Sequence, residues 1–105
     1  MAIPKSGYCY SLHYRVFDSC LFVGTTMNID ERIIKHKKQT FKNDKLNSFL
    51  KRNNINFSRD ICVNILMYDE NPEDLSMDEY KLFLKKYEQK YIENLEPFYN
   101  KKLLR

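Results

Sequence analysis

Three ionisable side chains stand where a soluble domain of this size normally places leucine or isoleucine. Arg32 and His36 fall in an i, i+3, i+4, i+7 series with Ile29 and Ile33, and Glu88 falls in a second with Leu84, Tyr87 and Tyr91. Side chains at that spacing share one face of a helix. A charge turned toward the interior costs free energy unless it is paired or used. A guanidinium, an imidazole and a carboxylate held in this way point to the handling of a phosphate. The guanidinium has a planar donor fork that matches two phosphate oxygens and can stabilise negative charge as it develops. The carboxylate is a hard oxygen ligand suited to Mg²⁺ or Mn²⁺. Tyr10 adds a phenol able to orient or deprotonate a water, although an ordinary pKa of about 10 makes it a poor base unless Arg32 or a metal lowers it. His36 titrates near neutrality and is the alternative base.

Positioning these groups requires a small set of elements. Gly7 to Tyr14 alternates, with Tyr8, Tyr10, Leu12 and Tyr14 on one face, and reads as a strand. Asp18-Ser19 marks a turn, and Leu21-Phe22-Val23 a short buried strand that stops at Gly24, so the pair is expected to be an antiparallel hairpin. Asn28 and Glu31 open a helix that should run to about Thr40. A second helix is expected over Asp44 to Arg52, with Leu46, Phe49 and Leu50 inward and Asn53-Asn54 ending it. Asp60 to Tyr68 reads as a third strand, at least partly buried on both faces. Ser76 and Glu79 form a capping-box signature at the start of the longest helix, which should end near Asn94, ahead of Pro97. The order β-β-α-α-β-α predicts an α+β fold: a small three-stranded sheet, mixed or antiparallel, flanked by three helices.

Composition sets the outer limits. The 105 residues hold one core, so the whole chain, 1-105, is read as a single domain. Only two glycines and three prolines argue against long flexible linkers, and eight tyrosines with seven phenylalanines fill a small core with few residues. Cys9, Cys20 and Cys62 have neither metal-ligand nor disulfide-framework spacing, so they are expected to be reduced thiols in a cytoplasmic or nuclear compartment. The opening MAIPKSGYCY is not a signal peptide, and no stretch approaches a membrane span, so no membrane partner is expected. Between Asn28 and Arg52, eight basic residues (Arg32, Lys35, Lys37, Lys38, Lys42, Lys45, Lys51 and Arg52) face three acids. Such a cluster attracts a polyanion in a salt-dependent way. Lys35, Lys37, Lys38 and Lys42 are its candidate nucleic-acid contacts.

At this point the residues resemble a known family. SGYCYSL, then LFVG, then Arg32 with His36 four residues on, then Glu88 and finally Pro97-Phe-Tyr-Asn100 follow the order of a GIY-YIG endonuclease domain, from about Ser6 to Lys101. Tyr10 falls at the family's first motif tyrosine, after Tyr8 and Cys9 where Gly-Ile is typical, and Phe22 stands at the second. The resemblance implies a metal-dependent DNA endonuclease. In it Glu88 would hold the metal, Arg32 would stabilise the phosphate, and Tyr10 or His36 would activate water. Asn100, Phe22 and Gly24 would support them. A catalytic head with no room for a separate DNA-reading domain would act on branched or damaged DNA recognised by shape, or would depend on a protein partner or a homodimer. Two other classes fit the same residues: a nucleic-acid-binding module with lost catalysis, and a protein-interaction domain using its aromatic residues.

Overall fold

In the computed structural model, which describes residues 3–100, the alternating N-terminal segment forms β1 (Gly7–Tyr14), and β2 (Ser19–Thr26) returns beside it as an antiparallel hairpin. β3 (Ile61–Asp69) pairs antiparallel with the other edge of β1, giving the order β2-β1-β3. The sheet is therefore wholly antiparallel. β2 extends further at both ends than Leu21–Val23, because its polar terminal residues continue the ladder: Ser19 opposes Tyr14 and Thr26 opposes Tyr8.

Among the described residues four helices flank the sheet: α1 (Ile29–Lys37), α2 (Asp44–Arg52), α3 (Phe57–Asp60) and α4 (Met77–Leu95). Each begins at a side chain that accepts a hydrogen bond from a free backbone N–H: Asn28, Asn43, Asn56 and Ser76. Ser76 and Glu79 complete the reciprocal pair expected of them. α3 is a single turn that the expected three-helix order lacks; four residues are too short for a helical period to be visible. α1 stops before Thr40 because Gln39 enters the left-handed region (φ 58).

One face of the sheet packs Tyr10, Leu12, Leu21 and Phe22 against Leu46 and Leu50 of α2 and against Ile61. α4 crosses the opposite face. It lies so close to β1 that a Cβ on Gly7 would sit 2.8 Å from both Leu84 methyls and the Tyr80 hydroxyl, and only glycine permits that approach. β3 departs from the expected pattern: Asn64, Ile65 and Tyr68 are exposed, because the strand lies at the edge of the sheet.

The segment after α4 closes the outer edge of β2. The Phe98 and Tyr99 N–H groups donate to the carbonyls of Cys20 and Leu21. Asn100 then takes both backbone groups of Val23, accepting from its N–H at 2.8 Å and donating to its carbonyl at 2.7 Å. No helix among the described residues is long and apolar enough to cross a membrane.

Candidate functional site

Tyr10 sits at the middle of the central strand, opposite Gly24 on β2. Its ring lies across that glycine: a Cβ there would be 2.7 Å from the Tyr10 hydroxyl and 2.7 Å from the Phe22 ring. Gly24 thus provides the floor on which the phenol rests. His36, on the inward face of α1, reaches the same phenol, with Nε2 2.7 Å from Oη. Both side chains are fully buried. Phe22 and Phe41 pack edge-on and tilted around the His36 ring, at 5.5 and 4.6 Å between centroids.

Burial sets the protonation of this pair. It pushes the His36 imidazole down to about 4, assisted by the Arg32 charge, and pushes the Tyr10 phenol up to about 12 against the pull of Arg32. At neutral pH both are uncharged. His36 Nδ1 is buried with no partner, so the Tyr10 bond is the imidazole's sole polar anchor.

Arg32 lies between this buried pair and solvent. Nη1 donates to the Thr25 carbonyl at 2.9 Å and leans on the Tyr10 hydroxyl at 3.4 Å. The guanidinium carbon lies 4.7 Å from the centre of the Phe41 ring, an attractive placement for a cation. The remaining guanidinium N–H groups have no hydrogen-bond partner among the described residues and stay available to a ligand.

Arg32 and Glu88 line one open cleft of about 390 Å³, together with Thr25, Thr26, Met27, Lys81, Leu84 and Lys85. The cleft forms where β2 runs out and helices from the two faces of the sheet converge, α1 from one and α4 from the other. Arg32 and Glu88 share the cleft without forming an ion pair; the two ion pairs among the described residues are Lys35–Glu31 and Arg59–Asp60. Burial raises the Glu88 pKa, while Lys85, Arg32 and the Thr25 backbone pull it back. Three cations around one carboxylate leave the cleft positive, which suits an anionic ligand.

The other sequence candidates lie apart from the cleft. Lys35, Lys37, Lys38 and Lys42 are exposed at the end of α1 and in the loop after it, and none lines the cleft. Asn100 holds the edge of β2 at Val23, between Phe22 and Gly24, and makes its hydrogen bonds there rather than to Tyr10, Arg32 or Glu88. Lys81 and Lys85 are cleft residues that the sequence reading passed over. Their signal was available, since Lys81, Leu84, Lys85 and Glu88 are themselves an i, i+3, i+4, i+7 series. The Thr25 carbonyl has no sequence signal, because any residue supplies one. A broader hollow of about 520 Å³ lies on the outer face of α2, lined by Asp44, Lys45, Ser48, Lys51 and Arg52. It contains none of the residues of the buried pair. Among the described residues no group of three or more His, Cys, Asp or Glu side chains could hold a metal ion, so a divalent cation would have Glu88 as its protein ligand and the substrate's oxygens as the rest. Comparison with protein-family models, with curated proteins and with solved structures found no match.

Proposed function

We propose that the chain is a metal-dependent phosphodiesterase acting on DNA, of the GIY-YIG endonuclease kind. The observation that carries this reading is the meeting of Arg32 and Glu88, from helices on opposite faces of the sheet, in one cationic cleft, with Arg32 in contact with the Tyr10 hydroxyl. A divalent cation fits the donor set. Glu88 is a half-buried carboxylate whose ionised form burial disfavours, and a cation's charge would restore that form. Bound there, Mg²⁺ or Mn²⁺ supplies neutralisation of charge at the phosphate.

The protein's own groups do the rest. Arg32 turns its free N–H groups to the phosphate oxygens, with Lys81 and Lys85 holding neighbouring phosphates. Turning outward costs Arg32 its weak 3.4 Å contact with Tyr10 and uncovers the phenol. A phenol whose pKa lies near 12 is not a preformed base at neutral pH. It works as a relay: its oxygen takes a proton from the attacking water while its own proton passes to Nε2 of His36. That role requires the His36 tautomer whose Nε2 is unprotonated.

A second reading, a DNA-binding module on the same frame with weak or lost catalysis, is favoured by two observations. Phe22 puts a ring without a hydroxyl beside Tyr10, at 6.1 Å between centroids. The relay also ends on an imidazole that burial and Arg32 hold against protonation. One experiment separates the readings: purified protein is incubated with supercoiled plasmid and with branched DNA, in Mn²⁺ or in EDTA, beside Glu88→Ala and Arg32→Ala. The nuclease reading expects nicking that needs the metal and both side chains. Tight binding without strand scission establishes the module, and scission that survives both substitutions removes the mechanism.

A further inference from the structure

Phe41 touches both Arg32 and His36, which stand one turn apart on α1. The Arg32 guanidinium carbon lies over its ring, 4.7 Å from the centre. The His36 ring lies 4.6 Å away, and Phe22 meets Phe41 edge-on at 5.3 Å. Gln39 makes this possible: its left-handed backbone ends α1 and returns the chain toward the helix. The backbone of Phe41 is then tied down. Its carbonyl accepts from the Asn43 N–H and from Asn47 Nδ2, both at 2.8 Å. Asn43 caps α2 and donates to the Tyr99 carbonyl at 2.6 Å, which joins this loop to the strap that seals β2. The ring is thus fixed through its backbone by hydrogen bonds and at its own edge and face by two aromatic neighbours.

Arg32 is held differently. No carboxylate forms an ion pair with it among the described residues, and its one short hydrogen bond goes to the Thr25 carbonyl. A hydrogen bond or an ion pair fixes a guanidinium in one direction and consumes the N–H groups that make it. The face of an aromatic ring attracts the cation as a whole. It engages no particular N–H and leaves the group free to turn. A guanidinium that must give up Tyr10 and meet a phosphate needs a support of this kind, one that persists while the other contacts exchange.

We infer that Phe41 is the positioning residue of Arg32, the fixed seat on which the guanidinium turns from the Tyr10 hydroxyl to a phosphate without leaving the cleft. Phe41 does not line the cleft and acts through Arg32. The inference rests on Arg32 being the phosphate-binding group of the proposed function, and it says how that group is held.

The test compares Phe41→Leu, which keeps an apolar side chain and removes the ring face, with Phe41→Tyr, which keeps the face. Phe41→Met takes the place of the leucine variant if that one fails to fold. The first readout is the nuclear magnetic resonance signal of the Arg32 Nε–H, in the free protein and with duplex DNA in EDTA. An upfield ring-current displacement is expected in the wild type and in Phe41→Tyr, persisting when DNA is added, and absent in Phe41→Leu. The second readout sets plasmid nicking in Mn²⁺ beside DNA affinity from fluorescence anisotropy. Phe41→Leu should slow nicking at saturating protein by about tenfold with a much smaller change in affinity, and Phe41→Tyr should rescue the rate. A ring that only fills space predicts a lower melting temperature with an unchanged rate per folded molecule, and that result overturns the inference. So does an Arg32 displacement that survives Phe41→Leu or vanishes when DNA binds. A wild type that binds DNA without nicking it defeats the nuclease reading alone, and the Arg32 resonance then decides the seat by itself. A wild type that does not bind DNA removes both.

Discussion

His36 governs how the molecule responds to acid. Its native pKa lies near 4, below the usual 6.5, because the ring is buried beside Arg32. Above pH 6.5 the imidazole is neutral in both the folded and the unfolded chain and contributes no pH dependence. As pH falls from 6.5 toward 4 the unfolded chain takes up a proton that the folded chain refuses, so stability falls through that window and levels off below it. The full loss is at most about 3 kcal/mol. Glu88 works in the opposite direction just above the ordinary carboxylate range, because its raised pKa lets the folded chain hold a proton more readily there. We expect the melting temperature to drop between neutral pH and about pH 5, and His36→Gln to flatten that slope. An unchanged slope in the variant would assign the acid sensitivity to other groups.

The elements differ in how strongly they depend on distant parts of the chain. α4 carries its own capping box and is locally specified, whereas β2 relies on a residue far along the sequence to satisfy Val23. Asn100→Ala removes two hydrogen bonds and leaves the N–H and carbonyl of a buried residue without them. The expected cost is about 2 kcal/mol, measured by urea unfolding. A cost near zero would mean that water replaces Asn100 at that edge. This division explains what was legible in the sequence. β1 and α2 have the boundaries read from alternation and from apolar spacing, and the Asn28 and Ser76 caps fall where expected, since those signals are local. The convergence of Arg32 and Glu88 was legible as two polar residues on apolar stripes, each wanting a partner. The length of β2, the single turn of α3 and the outward face of β3 were not, because each is set by what lies beside the segment rather than by the segment itself. The fully buried position of Tyr10 behind Arg32 was hidden for the same reason: side chains from three elements cover it.

For the molecule as a whole, positive charge is distributed over two regions with different consequences. Lys81, Lys85 and Arg32 surround the cleft, while Lys35, Lys37, Lys38 and Lys42 stand away from it. If a phosphate backbone enters the cleft, replacing Lys81 and Lys85 together with alanine should flatten the dependence of log affinity on log salt by about 2. The same pair of substitutions at Lys35 and Lys37 should change it less, since Lys35 is already engaged by Glu31 at 3.4 Å. Fluorescence anisotropy with duplex DNA across a salt series reads both outcomes, and equal changes would mean that the ligand spreads over the whole basic surface.

The strap at Val23 also bears on how the protein is made. Its residues leave the ribosome long after the hairpin they must seal, since Asn100 follows Val23 by 77 positions. A nascent chain stalled before them, or a product of premature termination, carries the outer edge of β2 unsealed and becomes a substrate for chaperones and for co-aggregation with its siblings on the same polysome.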